Sequence, residues 1–257
     1  PIYYIHNLAD PAANYIVMMD ANIVFGAQET LIYLIQQLLI DTQAWVSIGR
    51  AIKHSHHGRH PALPQQIKLE DNSQTKGLSS QLYCARAYKL RQIWLPPGLG
   101  VEDGFLRAMI LTDRFTQPEN PDRIAFTPGA SHLYEACTDW YQRLSQEKRI
   151  IIGTIVNQFI FDYLHLSCNH QLDAGTLIRR HTDRNPQWCM ALITQSRRQF
   201  AGNLLQTHYL TRRFQDLRYS QSLRQQLGHL PIAIAASIAD WAVFWRANRA
   251  VHQGFYD

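Results

Sequence analysis

Leu95-Pro96-Pro97-Gly98-Leu99-Gly100-Val101-Glu102-Asp103-Gly104-Phe105-Leu106-Arg107 is the stretch around which this chain is organised. A Pro/Gly-rich turn leads directly into two adjacent carboxylates, and Phe105, Leu106, Met109 and Ile110 follow at helical spacing. The pattern predicts a tight loop, then a helix from Glu102 to about Thr112 with both acids in its first turn, where they complement the macrodipole. Such pairs serve as ordinary helix starters as well as catalytic acids, and the neighbouring segments decide between these roles.

Upstream, Asn14-Tyr15-Ile16-Val17-Met18-Met19 is a short apolar run rich in β-formers that stops at Asp20. It reads as a buried strand with the acid at its carboxyl end, which is where open α/β sheets bind ligands. Asp20 and Asn22 therefore face a crevice. Two oxygen-bearing side chains at this spacing can share a divalent cation with a diphosphate, and they also suit a plain turn. Residues 29–39 carry apolar positions 31, 32, 34, 35, 38 and 39, a helix with a wide buried face. Trp45-Val46-Ser47-Ile48-Gly49 reads as the next strand, so the order suggests an α/β layer.

The stretch from His54 to Lys76 is the clearest loop, with His54, His56, His57 and His60 followed by polar residues. Its composition suits a solvated loop, and its length suits a lid over the crevice. Residues 77–86 read as a turn and strand, with a helix following through Ile93. Arg123-Ile124-Ala125-Phe126-Thr127-Pro128 reads as a strand closed by a Pro-Gly turn, with residues 130–132 continuing extended. Residues 134–153 read as helical and carry Gln146 and Arg149, which three-residue spacing puts on one face. Beyond Ile150 helix signals dominate, over residues 150–166, 188–210, 217–227 and 232–251.

The chain has 257 residues, 46% of them hydrophobic and 18% charged, which is too apolar for disorder and enough for a sizeable core. The four cysteines are far apart and lack CxxC spacing, which argues against a zinc site or a disulfide framework and fits a reducing compartment. The formal charge is +5; the basic residues are spread out with a late concentration at Arg179-Arg180, Arg197-Arg198, Arg212-Arg213, Arg218 and Arg224, and the Arg-rich segment over residues 195–218 alternates basic and apolar positions. That segment reads either as a solvated helix face or as a face for anionic lipid or a partner helix. No run of about 20 uninterrupted apolar residues occurs. The nearest candidate span, residues 230–245, contains Asp240 and ends in Trp241, Phe244 and Trp245, so it suits either a membrane interface or a core.

Taken together, these residues resemble the inverting nucleotide-sugar glycosyltransferases of the large family that includes cellulose, chitin and hyaluronan synthases. Three family markers occur in order: a strand ending in Asp-x-Asp, here Asp20-Ala21-Asn22; an acid pair, here Gly100-Val101-Glu102-Asp103; and Gln-x-x-Arg-Trp, here Gln146-Glu147-Lys148-Arg149-Ile150. The Leu-Tyr-x-x-Arg and Leu-Pro-x-Gly-Leu elements within residues 80–107 are similar to the family's acceptor-side region. The resemblance spans about residues 12–155 of the chain. Asn22 replaces the second aspartate and Ile150 the tryptophan. The family's opening strand and first nucleotide-binding aspartate have no counterpart before Asn14, so the resemblance implies a catalytic domain whose N-terminal segment is missing.

What the resemblance implies is an α/β protein with a GT-A-like nucleotide-diphospho-sugar transferase sheet, N-terminally incomplete, over residues 1–155. A helical region over residues 156–257, associated with a membrane or a partner, completes the expectation. Asp103 is then the base that deprotonates an acceptor hydroxyl, and Glu102 orients the loop or caps the helix. Asp20 and Asn22 hold Mg²⁺ or Mn²⁺ against the diphosphate, while Gln146 and Arg149 contact the diphosphate or the acceptor path. The partners expected are a nucleotide-diphosphate sugar, a carbohydrate or lipid-linked acceptor and a membrane, with nucleic acid excluded because aromatics do not interleave with the arginines. The implied address is cytoplasmic, with the cytoplasmic face of a membrane as the candidate site. Two rivals stand beside this reading: a degenerate, non-catalytic transferase-like scaffold, and a basic helical module binding an anionic surface.

Overall fold

The computed structural model describes residues 2–54, 78, 81–135, 139–199 and 223–253. The histidine-rich loop beyond His54 lies outside the described residues, as does the part of the Arg-rich segment beyond residue 199. The chain is of mixed α/β type and forms two compact units interleaved in sequence. The first comprises Pro1–Pro97, Glu102–Thr138 and Asp162–Pro186; the second comprises Gly98–Val101, Asp139–Phe161 and Gln187–Asp257.

The first unit is built on a five-stranded sheet of β1 (Tyr15–Met19), β2 (Ile23–Phe25), β3 (Val46–His54), β4 (Leu82–Arg86) and β5 (Ile124–Glu135), in the order β1-β4-β3-β5-β2. β3 and β5 are parallel, while β4 runs antiparallel to both β1 and β3, and β2 antiparallel to β5. Its helices include α1 (Ile2–Asn7), α2 (Thr30–Ile40), the short α3 (Ala87–Leu90) and α4 (Glu102–Leu111), together with a later one over residues 174–184. The apolar stripe of α2 drives it onto the sheet: Leu34 and Leu38 are fully buried against Ala44, Leu82, Cys84, Ala125 and Ala130. Successive strand residues face opposite sides, so Tyr83 lies on the face away from α2. Leu82, Tyr83, Cys84 and Ala85 are all buried, which explains why β4 shows no alternation in sequence.

The Pro-Gly turn expected after Arg123 does not end the strand. Ile48 pairs with Phe126 and Arg50 with Ser131, so Thr127, Pro128, Gly129 and Ala130 bulge opposite the single residue Gly49. A Cβ on Gly49 would stand 2.7 Å from the Ala130 carbonyl oxygen, so only glycine allows this approach. A bulge bends its strand, and β2 pairs with the part of β5 beyond it, at His132, Leu133 and Tyr134. Residues 134 and 135 consequently belong to β5, and the helix expected there begins later.

That helix, α5, runs from Trp140 to Ser167 without a break, and α6 (Ala174–Arg184), α7 (Trp188–Gln199) and α8 (Leu223–Gln253) follow. The sequence pattern missed α6, whose N-cap Asp173 accepts from the Thr176 amide at 3.1 Å. α5 is the one helix among the described residues long and apolar enough to cross a membrane; half of its most apolar window is buried. α8 joins two expected helices and carries Pro231 inside. Its stripe Asp240, Val243, Phe244, Ala247, Ala250 and Val251 is buried, while Ile238, Trp241 and Trp245 are 67%, 59% and 59% exposed. Within the second unit, the Asn157 amide donates to the Val101 carbonyl at 3.1 Å.

Several arginines close helix ends rather than present charge. Arg86 donates from Nε to the Ala44 carbonyl at 2.8 Å and from Nη2 to the carbonyls of Leu38 and Asp41 at the end of α2. Arg123, buried, donates to the Leu111 carbonyl at 2.6 Å, and Arg197 donates to the His252 carbonyl at 3.2 Å. Helix C-termini leave carbonyls without intrahelical partners and favour cations, so these side chains satisfy both needs.

Candidate functional site at the carboxyl end of β1

β1 delivers Asp20 to the sheet's end. The Asp20 amide donates to the Gln81 carbonyl at 2.9 Å, extending the ladder by one residue and fixing the start of the link to β2. Asp20 and Asn22 are both exposed, as a strand-end link requires.

Two buried groups stand against this link. His132 on β5 is 1% exposed; its Nε2–H donates to Gln81 Oε1 at 3.3 Å, and its Nδ1 has no hydrogen-bond partner among the described residues. Burial lowers the His132 pKa, and the nearby charge of Asp20 opposes that shift. An imidazole held neutral, with an unshared Nδ1 lone pair in electrostatic reach of Asp20, is what the sequence did not reveal. The second group is Tyr83, 3% exposed and paired with Met18 two residues before Asp20. Burial raises its pKa strongly, and the charges of Asp103 and then Glu102 raise it further. The phenol therefore stays protonated and remains a hydrogen-bond donor near the acid pair.

The acid pair opens α4, as expected, in the first turn of the helix. Phe105, Leu106, Met109 and Ile110 are buried, so the apolar face fixes the helix and leaves Glu102 and Asp103 partly exposed. Asp20 is thus held beside Gln81 through its amide, and the acid pair lies within electrostatic reach of Tyr83 on β4. Gln146 and Arg149 lie on α5, in the second unit, both exposed; with Tyr141, Gln142, Ser145 and Lys148 they line a surface cavity of about 480 Å³.

Among the described residues, no group of three or more His, Cys, Asp or Glu side chains forms a metal cage. Asp20 and Asn22 offer two exposed oxygen donors, which fits a hard cation completed by water and phosphate oxygens and does not fit an all-protein zinc or calcium site. The thiols of Cys84, Cys168 and Cys189 are each pushed up to about 11, chiefly by burial, so none is a nucleophile at neutral pH. No protein-family model matches this chain, and no curated protein matches it significantly.

Proposed function

We propose that this protein is an inverting glycosyltransferase with a GT-A-like sheet, moving a sugar from a nucleotide-diphosphate donor to a hydroxyl of a carbohydrate or lipid-linked acceptor. The observation that carries the reading is the placement in the first unit of a strand-end acid, Asp20, and a helix-start acid pair, Glu102-Asp103, with Tyr83 of β4 in electrostatic reach of the pair.

In this reading Asp103 accepts the proton of the acceptor hydroxyl. The acceptor oxygen attacks the anomeric carbon, the bond to the diphosphate oxygen breaks, and configuration inverts as the nucleoside diphosphate departs. Asp20 and Asn22 would hold Mg²⁺ or Mn²⁺, which when bound supplies positive charge against the leaving diphosphate. Tyr83, kept neutral, keeps its hydroxyl proton within electrostatic reach of the acid pair. The exposed Ile238, Trp241 and Trp245 of α8 favour attachment at a membrane surface, where tryptophans settle at the headgroup level.

One observation favours a non-catalytic scaffold instead: Asn22 is neutral and a weaker ligand than a carboxylate. Donor turnover decides between them. Asp103→Asn should lower the rate of nucleoside diphosphate release about 10²- to 10⁴-fold, the usual contribution of a general base, while nucleotide binding persists. Equal measurable turnover in the parent and the variant would remove Asp103 from the chemistry, and no turnover in the folded parent would leave the scaffold.

A further inference from the structure

The far end of the sheet carries a second cluster that the transferase reading does not use. β4 runs antiparallel to β1, so the residues after β4 sit at the end opposite Asp20. There Arg91, Arg114, Arg179 and Arg180 line an open cavity of about 610 Å³ against two carboxylates, Asp173 and Asp183. That volume falls within the usual span of small-molecule sites, about 300–1,000 Å³.

Each arginine is set by a different device. Arg91 is fixed by the backbone before β1, donating to the carbonyls of Asp10, Pro11 and Ala13. Arg114 sits in a left-handed turn: Asp113, Arg114 and Phe115 have φ of 48°, 58° and 64°, a conformation that side-chain-bearing residues rarely adopt in succession. Phe115 anchors that turn by burial, edge-on to His165 at 4.8 Å. The Arg114 carbonyl accepts from the Ala174 amide at 2.9 Å, and its guanidinium meets Asp113 at 2.9 Å, Asp173 at 3.5 Å and the Gln92 side chain. Arg179 lies over the Trp94 ring at 5.2 Å, and Trp94 is stacked on His6 at 4.1 Å. Arg180 makes no hydrogen bond or ion pair among the described residues, and Arg179 only a loose one to Asp183 at 3.9 Å. Two arginines are thus locked in the wall, and two on α6 keep donors for a ligand.

We propose that this cavity binds a phosphomonoester group, at a site separate from the one at Asp20. Arg114 is matched by Asp113 and Asp173, whereas Arg180 and the loosely paired Arg179 leave positive charge for an anion, and their planar forks match phosphate oxygens. The cavity is larger than a phosphate ion, so the phosphate carries an organic group that fills the remaining volume. A soluble phosphorylated metabolite and a phosphatidate headgroup present the same chemistry.

The test is binding in EDTA, where the Asp20 site has no cation to hold a phosphate. The full chain is titrated with glycerol phosphate by calorimetry, and in parallel mixed with phosphatidylcholine vesicles with and without phosphatidic acid. Saturable binding in either arm is expected. It should weaken at least about tenfold in Arg179→Gln/Arg180→Gln, the loss of charge-assisted contacts, and remain unchanged in Asp20→Ala. Binding of glycerol phosphate identifies a soluble ligand, and binding to phosphatidic acid vesicles alone identifies the headgroup. Binding in neither arm, or equal affinity in a double variant that melts with the parent, would overturn the proposal.

Discussion

Replacing Arg86 separates a structural from a ligand-binding role for the Leu-Tyr-x-x-Arg element. Arg86→Met keeps the aliphatic stem and removes the donations to the carbonyls of Ala44, Leu38 and Asp41. Hydrogen bonds from a charged donor contribute about 1.5–3 kcal/mol each, but two of these share Nη2 and the side chain is only half-buried. The loss should therefore come to about 2–5 kcal/mol. For a chain of this size each kcal/mol moves the melting temperature by about 2–4 °C, so the midpoint should fall by about 4–20 °C in circular dichroism. Arg86→Lys should recover little of this, because a single ammonium cannot serve carbonyls that a planar fork reaches together. A melt within about 2 °C of the parent, combined with lost nucleotide binding, would refute the reasoning and make Arg86 a ligand residue.

Leu38→Ala, at a fully buried position between α2 and the sheet, should cost about 2–5 kcal/mol in urea unfolding, through lost transfer energy and the cavity left behind. His181, bonded to the Tyr163 hydroxyl at 2.7 Å, is held below its ordinary pKa of 6.5 by burial and then by Arg184. The unfolded chain therefore takes up the proton first, so stability is unaffected above 6.5 and declines as pH falls below it. His181→Phe should flatten that decline in melts between pH 7.5 and 5, and an unchanged slope would contradict the assignment. On α8, Trp241→Ser with Trp245→Ser should reduce sedimentation with lipid vesicles at least severalfold while leaving the melting temperature in place, since both side chains are 59% exposed.

The parts of the fold that were legible in sequence are those whose signals are local. β1, the start of β3, β4 and α2 show apolar runs or 3.6-residue stripes, and Glu102-Asp103 reads as a helix start because capping is a first-turn property. The misreadings share a tertiary cause. Pro128-Gly129 looks like a terminator, yet in β5 it forms the crest of a bulge that the partner strand absorbs at Gly49. β2 is three residues long, too short to show a period. Pro231 suggests a break, yet α8 runs through it. In the candidate site, Asp20 was visible because it ends an apolar run. His132 was not, because its bond to Gln81 joins residues 51 positions apart and exists only through the sheet register. Tyr83 was visible only as part of a motif; the electrostatic reach of Asp103 to it joins residues twenty positions apart and exists only in the folded chain.

Calorimetry of UDP and GDP with the full-length protein, with and without Mn²⁺ and alongside Asp20→Ala, tests the central claim most directly. The account predicts nucleotide binding that requires the metal and is lost in Asp20→Ala. A folded protein that binds neither nucleotide, or binds one equally well without metal and without the Asp20 carboxylate, would contradict it.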